Sequence, residues 1–227
     1  MNYRWDDPKE VKNEFQGWRA RRYDLKNAVT GLSLVHERVI GHIEKAGLSH
    51  DPIGVWVDVG CGTGRFASLV TRRVPKVVVV SLDLSEQMIR NRREKHAAVV
   101  PRFVVSKAES LPLPDDSVDL VTILFTLHHL AVDARRAALL ESWRVLKTRG
   151  LLISCDFAPS SCRRDLTIVR RIIEAHACVA ELARDPVESA IVRAGFSSVT
   201  VDTFGIFQHR QIVVGRKNSD CNLMIPA

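Results

Sequence analysis

Hydrophobic and polar positions alternate along this chain in two rhythms. Over residues 10–46, Val11, Phe15 and Trp18, then Leu34, Val35, Val39, Ile40 and Ile43, recur near the 3.6-residue period of a helix. Ser49-His50-Asp51-Pro52 ends that stretch with turn-forming residues. Beyond it come short apolar runs at 55–59, 77–82, 102–105, 119–124, 151–155, 198–203 and 211–215. Amphipathic segments at 64–73, 85–96, 133–147 and 161–194 separate them. Strand–helix alternation of this kind predicts a parallel sheet covered by helices on both faces. The last two runs are joined only by Phe204 to Arg210. That is too short for a crossover helix, so this pair is expected to be an antiparallel hairpin. The pattern therefore predicts an α/β fold: a doubly wound, mostly parallel seven-stranded sheet with an antiparallel C-terminal hairpin and N-terminal helices.

Composition narrows the class. The chain has 227 residues, 46% hydrophobic and 26% charged, which is ordinary globular usage. A chain of that length buries a sizeable core without disulfide or metal staples. No run approaches the ~20 apolar residues of a membrane span. Met1-Asn2-Tyr3-Arg4-Trp5-Asp6-Asp7 has no apolar signal core, which argues against export by that route. The five cysteines, 61, 155, 162, 178 and 221, are scattered and odd in number, and no CxxC pair occurs. We therefore expect a reducing, cytoplasmic setting and no metal site. The net charge of +7 would suit an acidic partner such as RNA or an anionic membrane surface. The charges are spread as Arg-Arg pairs rather than gathered in one block, which favours a solvated surface.

The most specific stretch is Val55-Trp56-Val57-Asp58-Val59-Gly60-Cys61-Gly62-Thr63-Gly64. A buried strand runs into three alternating glycines, and a helix follows. Glycine permits a sharp turn and close approach of a ligand, at the strand end where doubly wound sheets bind ligands. A dinucleotide fingerprint would need a glycine where Arg65 stands, and a phosphate-cradling loop would need Gly-Lys-Ser/Thr. Neither is present. Asp83 ends the next strand, 19 residues past Gly64. A carboxylate there can accept both hydroxyls of a ribose. Leu84 and Met88 offer apolar contact to a base. The implied ligand is a nucleoside without a pyrophosphate.

These residues resemble class I S-adenosylmethionine-dependent methyltransferases, in register over roughly residues 20–215. Asp58-x-Gly60-x-Gly62-x-Gly64 and Asp83-Leu84-Ser85 match its first two motifs. Ala108-Glu109-Ser110-Leu111-Pro112-Leu113 looks like its adenine-side loop, and Ser117-Val118-Asp119-Leu120-Val121 like its fourth strand. Leu127-His128-His129-Leu130 resembles the turn after that strand. Arg144-Val145-Leu146-Lys147 followed by Gly150-Leu151-Leu152 resembles the entry to the fifth. The similarity is closest to the small-molecule branch that includes ubiquinone/menaquinone C-methyltransferases, whose N-terminal helix pair Arg22-Tyr23-Asp24-Leu25 resembles. It implies a Rossmann-like fold, S-adenosylmethionine as methyl donor, and a small-molecule acceptor. It implies residues 1–50 as a helical cap, 51–217 as the methyltransferase domain and 218–227 as a tail. Two departures stand out. Lys107 occupies a position that usually carries an acidic residue or Asn, leaving Glu109 or backbone groups to receive the adenine amino group. Thr148-Arg149-Gly150 replaces the usual Pro-Gly-Gly turn.

The resemblance assigns roles by position. Tyr23, Asp58, Gly60, Cys61, Gly62, Gly64, Asp83, Leu84, Met88, Ala108, Glu109 and Leu124 are expected to contact the cofactor. Trp18, Phe125 and His128 are expected to contact the acceptor. His128 and His129 are candidate bases, since a histidine near its ordinary pKa can take a proton from an acceptor hydroxyl or carbon. Each has a purely structural counterpart: Ser85 as a helix cap beside Asp83, Tyr23 and Trp18 as helix-packing aromatics, the histidines as turn residues. Trp5 joins Trp18 as a candidate lid. The cysteine spacing does not match arsenite methyltransferases. No Asn/Asp-Pro-Pro-aromatic tetrapeptide or Pro-Cys dipeptide marks methylation of nucleic-acid bases. The expected reaction is direct in-line displacement on a small aromatic or apolar acceptor. Its rivals are an RNA or protein methyltransferase and a non-catalytic cofactor-binding partner subunit.

Overall fold

A computed structural model describes residues 32–46, 54–74, 77–93, 102–158, 182, 184–205 and 210–218. Tyr23, Trp18 and Trp5, and most of the segment expected to be helical over 161–194, lie outside the described residues. The elements in chain order are helix α1 (Leu32–Lys45), strand β1 (Val55–Val59), α2 (Arg65–Arg73), β2 (Val78–Asp83), α3 (Glu86–Arg93) and β3 (Arg102–Val105). They continue with β4 (Val118–Leu124), a 3₁₀ turn (Leu127–His129), α4 (Val132–Val145), β5 (Leu146–Phe157), α5 (Val187–Arg193), β6 (Ser197–Phe204) and β7 (Arg210–Arg216).

The seven strands form one sheet in the order β3-β2-β1-β4-β5-β7-β6. β1 to β5 pair in parallel, and β7 runs antiparallel between β5 and β6. The expected mostly parallel sheet and terminal hairpin are both present. The central apolar runs read as strands because β1, β4 and most of β5 are covered on both faces, which removes the polar alternation of a half-exposed strand.

Two apolar layers follow from the side-chain alternation of the strands. On one face Val35, Val39, Ile40 and Ile43 of α1 and Phe66, Ala67 and Val70 of α2 pack on Trp56, Leu120, Ile153 and Cys155. On the other, Leu139 and Val145 of α4 and Val187 and Ile191 of α5 pack on Val57, Val121, Leu152 and Val213. The α1 spacing of i, i+4, i+5, i+8 is a single helical stripe.

One boundary differs from the sequence expectation. β5 begins at Leu146, not Leu151, because Leu146 already pairs with Val118 before an irregularity in the β4–β5 ladder. Within it Arg149 takes a left-handed φ of 69° where the related turn carries glycine. Its N–H donates to Lys217 O (2.7 Å) and its carbonyl accepts from Arg216 Nη1 (2.8 Å), which holds it there.

Lys217 closes this end of the sheet. Its buried ammonium donates to Leu146 O at 2.7 Å and to Asp116 Oδ1 at 2.8 Å, and lies 4.0 Å over the Trp143 ring. Lys217→Met keeps the volume and removes the donors. We expect a loss of about 2–3 kcal/mol in urea unfolding, and an unchanged midpoint would show that the contacts contribute nothing net.

Candidate active site

The carboxyl ends of β1, β2, β4 and β5 lie along one edge of the sheet, and the chemistry-bearing residues gather there. Past Val59 the chain turns over the end of β2: Gly60 N and Cys61 N both donate to Leu82 O, at 2.7 and 3.0 Å. Gly60, Gly62 and Gly64 have φ of 72°, 55° and 68°, the left-handed region that suits glycine. Gly60 is also hemmed in, because a Cβ there would lie 2.0 Å from Thr126 Oγ1. The requirement for glycine therefore comes from conformation and from contact with the segment after β4.

Asp83 ties this loop to the next helix. One carboxylate oxygen accepts Gly62 N at 2.7 Å and the other accepts Ser85 N at 2.8 Å. Burial pushes its carboxyl up, while the two backbone N–H bonds pull it down. Ser85 Oγ receives Met88 N at 3.4 Å, so Ser85 does cap α3. Leu84 is half-buried and Met88 buried on this side. Ser106 N donates to Asp83 O at 3.1 Å and hooks the loop after β3, with Ala108 and Glu109, onto the same strand end. Arg144 pins the far side of that loop through Leu111 O (3.1 Å) and Leu113 O (2.9 Å). Lys107 is exposed, and its carbonyl accepts Ser106 Oγ and Ser110 N.

Asp58 sits lower in β1, 2% exposed. Trp56 Nε1 donates to Thr122 Oγ1 at 2.9 Å, and Thr122 Oγ1 donates to Asp58 Oδ1 at 2.8 Å. Burial pushes the Asp58 carboxyl up to about 7; the Thr122 bond opposes the rise and the Asp83 charge adds to it. Burial first, then the Asp83 and Asp58 charges, raise the Cys61 thiol too, so it carries no nucleophilic thiolate.

After β4, Leu124 and Phe125 are half-buried, and Phe125 adopts a φ of 51°. The 3₁₀ turn then brings His128 to Asp156, near the end of β5. Asp156 Oδ2 accepts His128 N at 3.0 Å, and Asp156 Oδ1 accepts Phe157 N at 2.9 Å. The His128 ring places Nδ1 2.8 Å from Asp156 Oδ1, off the ring's N–H axis, so the hydrogen bond that ties the residue to Asp156 is the one from its backbone N–H. The His129 ring lies 3.8 Å from that of His128, tilted by 43°, Phe157 lies edge-on at 5.1 Å, and Phe125 meets Phe157 at 5.8 Å. The turn is anchored from below by the buried Arg135 guanidinium, which donates to Leu127 O, Leu130 O and Asp185 O at 3.1–3.2 Å.

The expected glycines, Cys61 and Asp83 thus meet at the β1–β2 ends, while Leu124, Phe125 and His128 meet at the β4–β5 ends. Thr126 against Gly60 joins the two groups. Asp156 and Arg135 were not anticipated from the sequence. Asp156 had a readable mark: like Asp58 and Asp83, it is an acid closing a buried apolar run. Arg135 had none, since it reads as one more arginine on an amphipathic helix.

The Asp58 carboxyl makes a pH prediction. Its native pKa lies above its unfolded value, so between about pH 4 and 7 the native state binds the extra proton. Its stabilising contribution is complete below that window and is lost as pH rises through 7. Asp58→Asn keeps the acceptor for Thr122. It is expected to remove about 2–3 kcal/mol of pH dependence between pH 5 and 8, read by denaturant unfolding at both values. Parallel pH curves for the two proteins would disprove the buried, protonated acid.

Comparison with known proteins bears on this site. Residues 57–154 match the family model described as a methyltransferase domain. A malonyl-[acyl-carrier protein] O-methyltransferase of Geobacter sulfurreducens is 31% identical over 86% of this chain and 73% of its own length. A demethylmenaquinone methyltransferase of Deinococcus radiodurans is 39% identical over 62% of this chain, which spans 57% of that relative's length. An S-adenosylmethionine dependent methyltransferase of Mesorhizobium loti superposes with a TM-score of 0.55 at 18% identity, over 77% of this chain and 96% of its own. That last likeness speaks to the fold alone.

Proposed function

Because the chain belongs to the S-adenosylmethionine-dependent methyltransferases, we propose that it methylates a small, aromatic or apolar acceptor by direct in-line displacement, with S-adenosylhomocysteine as the product. The observation that carries this reading is the join between two half-sites: the Asp83–glycine-loop cradle and the Phe125–His128–Asp156 group, in contact through Thr126 and Gly60. S-adenosylmethionine, when bound, supplies an already activated methyl group. The protein's task is then mainly to hold two partners at attack distance and keep water out, effects worth up to ~7–11 kcal/mol.

The residues fit that ligand. Each Asp83 oxygen accepts one backbone N–H and keeps a second lone-pair direction for a ribose hydroxyl. The left-handed glycines at 60, 62 and 64 present backbone without side chains, so a ligand can lie against the loop. Leu84, Met88, Ala108 and Glu109 surround the base in this reading, and Cys61, Leu124 and Asp58 lie toward the methionine part. Phe125 and His128 face the acceptor. His128 takes a proton at Nε2 where the acceptor must lose one, and Asp156 supports the imidazolium that results. His129 lies against it and has the lesser claim as base. Residues 1–50, with Trp18 and Tyr23, serve as the cap in this reading and 51–217 as the transfer domain, although α1 itself packs into the sheet core. The relatives' names, a demethylmenaquinone methyltransferase and a malonyl-[acyl-carrier protein] O-methyltransferase, support a small acceptor group in this reading. Among the described residues, no helix is long and apolar enough to cross a membrane.

Isothermal titration with S-adenosylmethionine tests the donor half. We expect micromolar binding by the full chain and a loss of about a hundredfold or more in Asp83→Ala. No binding by the full chain would overturn the reading. For the acceptor half, conversion to S-adenosylhomocysteine is followed across quinols and phenols. His128→Ala should leave donor affinity intact and slow turnover about 10²–10⁴-fold. An unaltered rate would remove His128 from the chemistry.

A further inference from the structure

β7 runs antiparallel to β5, so it begins where β5 ends. Phe157 stands opposite Arg210, and Asp156 opposite Gln211. The first two residues of β7 therefore lie at the ligand edge, although the last strand of a sheet is not where a sequence reading looks for a site. They leave the strand on opposite faces and flank its end. Arg210, half-buried, sits with its guanidinium 5.7 Å from the Phe125 ring centroid. Gln211 shares the face of Asp156, the carboxylate that holds His128.

Gln211 is 4% exposed, and its side-chain Nε2 meets no acceptor. The Ser154 hydroxyl, on the same face two residues before Asp156, is also buried and unmet. Buried donors left without partners are costly to a fold. Here the unmet amide belongs to the residue paired with Asp156, which ends a chain of contacts running from Arg210 through Phe125, Phe157 and His128. Phe125 and Phe157 supply flat apolar surface. Gln211 supplies a buried N–H, and Arg210 supplies positive charge.

We propose that Gln211 and Arg210 form the acceptor's anchor, and that the acceptor is a planar apolar molecule bearing an anionic oxygen beside the atom that receives the methyl group. Gln211 Nε2 donates to that oxygen, the Arg210 guanidinium balances its charge, and the flat body lies against Phe125 and Phe157. His128 is thereby left free for the reacting atom. This assignment rests on the methyl-transfer reading above and adds to it the chemistry that selects the acceptor. An unmet amide in the free protein also explains discrimination: a molecule without the anionic oxygen leaves that amide buried and unpaired.

The test uses the full chain saturated with S-adenosylhomocysteine and two probes, 1-naphthol and 1-hydroxy-2-naphthoate, followed by titration calorimetry. The naphthoate should bind the wild-type protein about tenfold or more tightly than the naphthol. Gln211→Leu should erase most of that preference, with S-adenosylhomocysteine affinity unchanged and a melting temperature equal to or above the wild type's. Arg210→Met should weaken the naphthoate and spare the naphthol. Gln211→Met is the second variant should leucine disturb the strand. Equal binding of the two probes, or binding of neither while S-adenosylhomocysteine still binds, would overturn the anchor and leave the methyl-donor reading standing. A Gln211→Leu protein that melts lower yet binds both probes as before would also overturn it, and would assign the amide to a buried water. Failure to bind S-adenosylhomocysteine would take down the methyl-donor reading and the anchor with it.

Discussion

The candidate site depends on one carboxylate clasp. Asp83 spends one oxygen on Gly62 N and the other on Ser85 N, so a single side chain at the end of β2 fixes both the glycine loop and the start of α3. Its own carbonyl receives Ser106 N, which adds the loop after β3 to the same knot. Charge-assisted bonds to backbone N–H groups are among the stronger ones a protein makes, and they keep a largely buried acid usable as an acceptor. The clasp has an electrostatic consequence below it. Asp58 lies deeper in the neighbouring strand, and the Asp83 charge is one of the causes that raise its carboxyl to about 7. Burial is the largest cause of that rise, the Thr122 hydrogen bond opposes it, and the Asp83 charge adds to it.

A second constraint is directional. A parallel strand delivers its carboxyl end to the ligand edge, and an antiparallel strand delivers its amino end. β1, β2, β4 and β5 therefore contribute Asp58, Asp83, Phe125 and Asp156 as they finish, whereas β7 contributes Arg210 and Gln211 as it starts. The hairpin does more than close the sheet. It places two polar side chains beside the β5 end, where a further crossover helix would have carried the chain away.

The strands and the glycine loop were legible because their causes are local. A strand buried on both faces needs a run such as Leu151 to Ile153, and a left-handed turn needs glycines at fixed spacing. The boundary of β5 was not legible, since Leu146 becomes a strand residue only through Val118, far back in the chain. Asp156 and Gln211 were missed for the same reason. The importance of Asp156 comes from His128, 28 residues away, and that of Gln211 from its pairing with Asp156 across the sheet. Arg135 is the extreme case: a fully buried guanidinium whose three shortest bonds go to backbone carbonyls, which have no sequence identity to read, and whose one carboxylate partner, Asp185, lies 50 residues away.

Phe125 shows what this edge selects for. A left-handed backbone costs a non-glycine residue roughly 1–2 kcal/mol, and at φ 51° a glycine would adopt the conformation freely. The neighbouring glycine loop shows that the chain uses glycine where backbone alone is wanted. At residue 125 it keeps an aromatic ring, and the surroundings hold the strain: Phe125 N donates to Cys155 O at 2.8 Å, Phe157 meets the ring edge-on, and Arg210 lies on it. The ring must therefore be worth more than the strain. Its contribution to the core is modest, because it is only half-buried and sits at the margin of the apolar layer. What remains is the face it turns to the edge of the sheet. Strain of this kind persists where the surroundings over-determine it and clusters at functional sites, and in the proposed reading a flat, rigid, apolar surface one residue past β4 meets the planar acceptor beside His128.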